Sequence, residues 1–544
     1  MRTAWPARPR RSVAATAAAV LVALAIAAPV TANPSGFRTE QAAMITPRVA
    51  GATAEPLVTV GDTLAGGYRF EALPDGIALA SRGNGRVDVY VNHETSLVPF
   101  PYVATGPTAA NSLNDFDNAQ LSHLILSKQS GGILHGDLLI ESSENYQRFC
   151  SNFLATAAEG FDRELLFTNE EATDVVNRAG VAWPATAANG SNPEQAGVVV
   201  AVDVRTGQRR PIYGMGRHNH ENSVAVPGLG KLVVLSGDDT FTTNPAQSQV
   251  YAYMADSADD VWNDRGTLYG FKSDVAGVTD YYDVPPGSTM SISGHWEPIP
   301  ADKAHGDQAA LEAASDAAGV FQFVRIEDIA YDKRPGMSNV VYLADSGRAS
   351  ASPGTGNDGQ PNPFPSTNGR IWKMVLDPAD PLHVLSLSIL HDADTSPLGV
   401  PGVLHQPDNL ETTPHGVFIT EDPSSPNRFA LNDPNGVGSR LWWYHLDGPK
   451  AGQMEVAFEV DQSADEGPTD VDPTTTKAVK GEWEVSGVVD ASAAFGPGAF
   501  LLDVQAHSLF VEVANGPDLV APAGPDWLSK REGGQLLLVR IPGA

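Results

Sequence analysis

The chain has 544 residues, 42% of them hydrophobic and 18% charged, with 35 Lys+Arg against 65 Asp+Glu, a single cysteine and a formal charge of -30. So much apolar residue excludes a disordered acidic chain, and an acidic excess without a dense basic patch excludes a nucleic-acid binder. One cysteine excludes an intramolecular disulfide framework, and what remains is a large folded protein whose acids serve cation binding or solubility.

The first 32 residues read as an export signal. Arg2, Arg8, Arg10 and Arg11 form a basic start, Val13 to Ala28 a small-residue apolar stretch, and Val30-Thr31-Ala32 a cleavage site. Arg10-Arg11 leaves both the general and the twin-arginine route open. No later stretch reaches 18 continuous apolar residues, so no membrane span is expected. The mature chain, residues 33–544, is expected to be one secreted domain and a monomer.

Along that chain, a short apolar run that stops abruptly in acidic or polar residues occurs six times: Val87 to Glu94, Glu164 to Glu171, Lys231 to Asp239, Asn339 to Gly347, Gly416 to Pro423 and Ala499 to Gln505. Each has strand composition. Each is followed, after a loop, by a second such run: Leu121 to Ser127, Gly197 to Gln208, Gln249 to Asp256, Arg370 to Pro378, Arg440 to Gly448 and Gln535 to Gly543. Six strand pairs with one grammar predict an all-β fold, a six-bladed β-propeller with long insertions, in which the first run of each pair is the inner strand. A β-sandwich of equal strand count is the alternative. Ala309 to Val320 has helical spacing and predicts one surface helix, so one or two short helices are expected in all. Ser350 to Asn368 reads as a long loop.

In a propeller the inner strands line the axis, so acids at their ends converge. Glu94, Glu170, Glu171, Asp238, Asp239, Asp345, Glu421, Asp422 and Asp503 hold such places. Crowded carboxylates cannot all ionise unless cations compensate them, and hard cations such as Ca²⁺ take oxygen ligands of this type. Singly, each acid is equally a solvated turn residue.

Three local patterns add to this. Gly216-Arg217-His218-Asn219-His220-Glu221 precedes a predicted inner strand and makes His220 and Glu221 candidate metal or phosphate ligands. Arg325 and Glu327 alternate on one extended segment and so share a face, an arrangement suited to a phosphate beside a metal ligand, or to a plain ion pair. Gln406-Pro407-Asp408-Asn409 is by itself a turn signal. Cys150 is read either as a small buried hydrophobe or as a thiolate ligand.

Taken in order, Asn92-His93-Glu94, Cys150 with Glu170-Glu171, Gly216-Arg217 with His220-Glu221, Gly237-Asp238-Asp239, Arg325 with Glu327, Gly369-Arg370-Ile371 and Pro407-Asp408-Asn409 resemble the PhoX-type alkaline phosphatase family of secreted proteins. The resemblance spans roughly residues 60 to 540 and rests on the order of the motifs. It implies a six-bladed propeller and a central site where two iron ions and several calcium ions hold the substrate phosphate. It further implies Cys150 as an iron ligand, Glu170 or Glu171 with Glu221 as metal ligands, Glu327 and Asp408 on calcium or iron, and Arg325 on the phosphate.

The expected activity is metal-assisted hydrolysis of small phosphomonoesters, with attack in line and Arg325 stabilising charge on the equatorial oxygens. Two rival expectations stand beside it: a calcium propeller hydrolase of the lactonase or phosphotriesterase type, and a non-catalytic calcium-stabilised secreted binding protein.

Overall fold

The computed structural model describes residues 35–94, 118–176, 194–348, 364–398, 400, 402–422, 438–462, 471–472, 477–478, 483–513 and 527–544. The export-signal reading, and Ser350 to Pro363 of the long loop, lie outside the described residues. Among those described, no helix is long and apolar enough to cross a membrane.

The fold is all-β. Six antiparallel meanders succeed one another, each with its first strand on the inside. The first runs Pro74–Arg82, Arg86–His93, Gln120–Ser127 and Ile133–Ile140; the second Phe149–Ala155, Leu165–Glu170, Val199–Asp203 and Arg209–Ile212. The third begins at His220–Val226, the fourth at Ile326–Tyr331 and the fifth at Pro407–Thr413. The sixth joins Glu484–Asp490, Ala499–Val513 and Trp527–Arg540 to Thr53–Thr59, so the two ends of the described chain complete one sheet. Each first strand packs on the next, and the sixth packs on the first.

This differs from the expected strand order. The six apolar runs followed by acids are the second strands of the meanders, and another strand lies inside each of them. The reason is compositional. The second strands are covered on both faces and are apolar throughout most of their length, as in Leu232–Asp238, where every residue is buried. The innermost strands mix apolar with polar residues, as in Pro407–Thr413 (PDNLETT) and Ile326–Tyr331 (IEDIAY), because they face one another across a polar axis.

The core is divided accordingly into six main apolar clusters, one between each pair of neighbouring meanders. Phe418 and Phe500, with ring centroids 4.5 Å apart, join the fifth to the sixth. Val89 and Val91 pack with Leu536 to join the first to the sixth. Truncating a buried aromatic such as Phe418 to Ala costs about 3–5 kcal/mol.

Four short α-helices lie among the described residues, against one or two expected. The longest, Gln308–Ala318, is the one foreseen in the Ala-rich segment: Asp307 caps it by accepting from Ala310 N at 2.9 Å, and Gly319, at φ 73°, ends it.

Where each innermost strand pairs with the second strand, the register shifts by a bulge near its start. The shifts fall between Pro74 and Ile77, Phe149 and Asn152, His220 and Ser223, Ile326 and Ile329, Pro407 and Leu410, and Val485 and Val488. Asp75, Cys150, Glu221, Glu327, Asp408 and Ser486 therefore occupy one equivalent position on six strands. A bulge re-aims its side chain out of the regular alternation. Close approach of the strands requires small residues here: a Cβ on Gly76 would lie 2.4 Å from Asn152 N, and one on Gly487 2.6 Å from the Asp75 carbonyl oxygen.

Candidate metal centre

Five of the six bulge positions carry metal-ligating side chains, and they meet. Asp75, Glu94 and Cys150 bring ligand atoms within 4.8 Å of one another; so do Cys150, Glu171 and Glu221, and so do Glu221, Glu327 and Asp408. Cys150 and Glu221 are each shared by two groups, so seven buried side chains form one continuous donor array. Glu94 and Glu171 come from the ends of second strands, which the antiparallel pairing returns to the bulges.

Hydrogen bonds fix the array from below. Ser151 Oγ donates to Glu221 Oε1 at 2.9 Å and accepts from Asn409 Nδ2 at 2.6 Å. Ser486, at the sixth bulge, donates to Asp75 Oδ1 at 2.6 Å, and Gln505 Nε2 donates to Glu94 Oε1 at 2.7 Å. Ser151, Asn152, Asn222, Asp328 and Asn409 line a cavity of about 220 Å³ on the axis. Asp328 accepts from Leu410 N at 2.7 Å and from the Asn222 amide, while burial pushes its carboxyl up to about 7.

The electrostatics without a cation are unfavourable. Burial raises the carboxyls of Glu171, Glu221, Glu327, Asp408 and Glu484 well above the ordinary range, and neighbouring carboxylates raise them further. Burial likewise lifts the Cys150 thiol, with Asp75, Glu221, Glu171 and Glu94 adding to it. Arg325 is the counter-charge: its Nε and Nη2 fork onto Asp239 at 2.7 and 3.0 Å, and Nη2 also reaches Glu327 Oε1 at 2.6 Å and Asp422 Oδ2 at 3.4 Å. Its backbone, at φ 67°, is left-handed.

The donor set fits resident cations. Glu221 Oε2 is fully buried, belongs to a residue in two of the three groups, and has no hydrogen-bond partner among the described residues. A fully buried, unpaired carboxylate oxygen is costly, and a cation is the partner that this surrounding of acids lacks. Carboxylate oxygens suit hard cations, and the single sulfur suits a softer one such as iron.

Of the residues singled out in the sequence, Glu94, Cys150, Glu171, Glu221, Glu327 and Asp408 are brought together, with Arg325 beside them. Glu170 and His220 are not among them. Glu170 accepts the backbone N–H groups of Gln147, Gly197 and Val198 at 2.8, 3.1 and 3.2 Å, bonds that belong to the scaffold. The His220 ring meets Ser236 Oγ at 2.8 Å and Gly216 O at 3.1 Å, and burial lowers its pKa to about 4, so it stands neutral. The other strand-end acids divide: Asp239 and Asp422 hold Arg325, Glu421 receives Arg440, and Asp345 accepts from Trp372 Nε1.

Asp75 was missed in the sequence. For Asp75 a signal existed: Leu73-Pro74-Asp75 repeats the Pro-Asp of Gln406-Pro407-Asp408, and Leu73 and Gln406 share left-handed φ values of 43° and 41°.

Comparisons with known proteins add the following. A family model described as alkaline phosphatase PhoX matches residues 143–465, a span that holds Cys150, Glu171, Glu221, Arg325, Glu327 and Asp408 but not Asp75, Glu94 or Glu484. No curated protein matches the chain. Among solved structures, the NanB sialidase of Streptococcus pneumoniae is 7% identical, over 86% of this chain and 68% of that one, with a TM-score of 0.36. A mutant Trypanosoma rangeli sialidase displaying trans-sialidase activity is 9% identical, over 92% and 60%, at 0.33. An acylaminoacyl peptidase of Pyrococcus horikoshii is 6% identical, over 80% and 43%, at 0.27. The chain spans less than two thirds of the length of the latter two, and at such TM-scores none of these likenesses carries an argument.

Proposed function

The chain belongs to the PhoX alkaline phosphatase family, and from that premise we propose that it is an exported, monomeric, metal-dependent phosphomonoesterase acting on small phosphoesters. In this reading residues 33–544 form one catalytic domain, a six-bladed propeller whose blades are the six meanders. The cyclic packing of the innermost strands, the sixth on the first, supports it.

The observation that carries the function is the overlap of three ligand groups through Cys150 and Glu221, with a buried arginine alongside. Two iron ions and several calcium ions are the proposed occupants, held by Asp75, Glu94, Cys150, Glu171, Glu221, Glu327 and Asp408. When bound, such cations neutralise phosphate charge and activate water for attack in line.

The protein's own groups supply the rest. Asp239 fixes the Arg325 guanidinium by a two-point fork, so the charge that meets the equatorial phosphoryl oxygens is set before substrate arrives. Glu327 serves as ligand and as the second anchor of that guanidinium, coupling ligand position to phosphate position. Ser151 and Asn409 orient Glu221 from the axial side, leaving Oε2 for the centre.

Metal stoichiometry measured together with phosphomonoesterase turnover tests the reading. Iron with several calcium ions and monoester turnover supports it. One calcium ion with turnover of other esters would replace it with a calcium propeller hydrolase, and calcium without turnover with a secreted binding protein.

A further inference from the structure

Arg325 stands two residues before its ligand, Glu327, with a left-handed backbone. Arg148 holds the same station on another innermost strand: it stands two residues before Cys150, with φ 38°. Leu73 and Gln406 occupy that station before Asp75 and Asp408, also at positive φ, and are uncharged. Such conformations are strained outside glycine and collect at functional sites.

The two arginines border one group of buried acids. Arg148 Nη1 lies 3.8 Å from Glu171 Oε1, Glu171 lies beside Asp239, and Asp239 takes the Arg325 fork. Both guanidiniums pull the Glu171 carboxyl down against the burial that raises it. Their exposure differs: the Arg325 side chain is 4% exposed, whereas Arg148 is 21% exposed and reaches solvent.

We infer that Arg148 and Arg325 form a two-arginine clamp for the phosphoryl group, with Arg148 the residue that selects doubly charged phosphomonoesters over singly charged diesters. The inference rests on the phosphatase reading above. A monoester dianion carries two charges over three non-bridging oxygens, enough for a second guanidinium to bind, whereas a diester carries one charge over two. The planar fork of arginine matches that oxygen geometry better than the point charge of lysine.

The test uses R148Q and R148K with 4-nitrophenyl phosphate, its methyl diester as substrate or competitive inhibitor, and inorganic phosphate titrated calorimetrically. R148Q should lower kcat/KM for the monoester by about tenfold or more and weaken phosphate binding by a similar factor, as loss of a charge-assisted hydrogen bond does. Diester turnover or inhibition should stay within about twofold of wild type, the size of effect left when no charge-assisted bond is lost. Metal content should match wild type, and R148K should recover part of the loss. Equal losses on monoester and diester, unchanged phosphate affinity, or metal lost in step with activity would each overturn the clamp. A wild-type protein that hydrolyses no phosphomonoester would overturn the phosphatase reading instead, while its phosphate affinity against that of R148Q still decides the clamp.

Discussion

The Cys150 Sγ lies 2.8 Å from Asp75 Oδ2, a thiol donating to a carboxylate on the neighbouring innermost strand. Burial raises the pKa of both groups and so favours their protonated forms. A thiophilic cation reverses this, because the thiolate is the ligand and binding releases the proton. Cys150→Ser keeps a donor to Asp75 and removes the sulfur. It should therefore lose iron and any thiolate-to-iron visible absorption while remaining folded; unchanged iron content in the variant would remove Cys150 from the ligand set.

Glu221→Gln should act in opposite directions with and without metal. The amide keeps the oxygen that Ser151 binds and turns the unpaired Oε2 into a donor toward neighbouring acids. In chelator, thermal unfolding should show a gain of about 1–3 kcal/mol, since a buried, unpaired ionisable oxygen is removed. With calcium present the order should invert, because the ligand shared by two groups is gone. A metal-free variant less stable than wild type would contradict the arrangement.

The pH response of the metal-free chain follows from the raised carboxyls of Glu171, Glu221, Glu327, Asp408 and Glu484. The folded chain keeps protons that the unfolded chain releases above about pH 4. Their stabilising contribution is full below that pH and is lost as pH climbs through the raised folded values, at about 1.4 kcal/mol per pH unit for each group that titrates. Tm in chelator should thus fall as pH rises above about 4, and the increment from added calcium should grow in the same direction. A metal-free Tm that rises with pH would disprove the linkage.

Glu170→Ala separates scaffold from site. It strands three backbone N–H groups in the interior, at a cost of about 1–3 kcal/mol for each one left without a partner, and should leave metal content near wild type. Glu171→Ala, one residue on, should do the reverse. Thermal unfolding and elemental analysis of the pair decide it.

The second strands were legible in the sequence because both faces of each are covered, leaving an uninterrupted apolar run such as LVVL before the acids. The innermost strands were not, because HENSVAV and PDNLETT carry polar residues toward the axis and carry no run to detect. For the same reason Cys150, Glu221, Glu327 and Asp408 could be named, whereas their equivalence could not: a bulge is a property of pairing, visible only when both strands are in register. Glu170 and Glu171 are adjacent and chemically identical, and only the backbone N–H groups around Glu170 tell them apart. His220 looked like a ligand through the company of Glu221; in the fold its ring is turned to Ser236 and Gly216.

The sheet that joins Thr53–Thr59 to Trp527–Arg540 brings the two ends of the described chain together. Asp75 meets Ser486, and Glu94 meets Gln505, across 411 residues in each case. Contacts so distant along the chain form late in folding, after the cost of closing the loop has been met. An ion that encounters the polypeptide during synthesis finds no finished array to occupy. On the reading proposed above, cargo selection is deferred to wherever the last strand docks, so the ions available at that point determine what the protein carries.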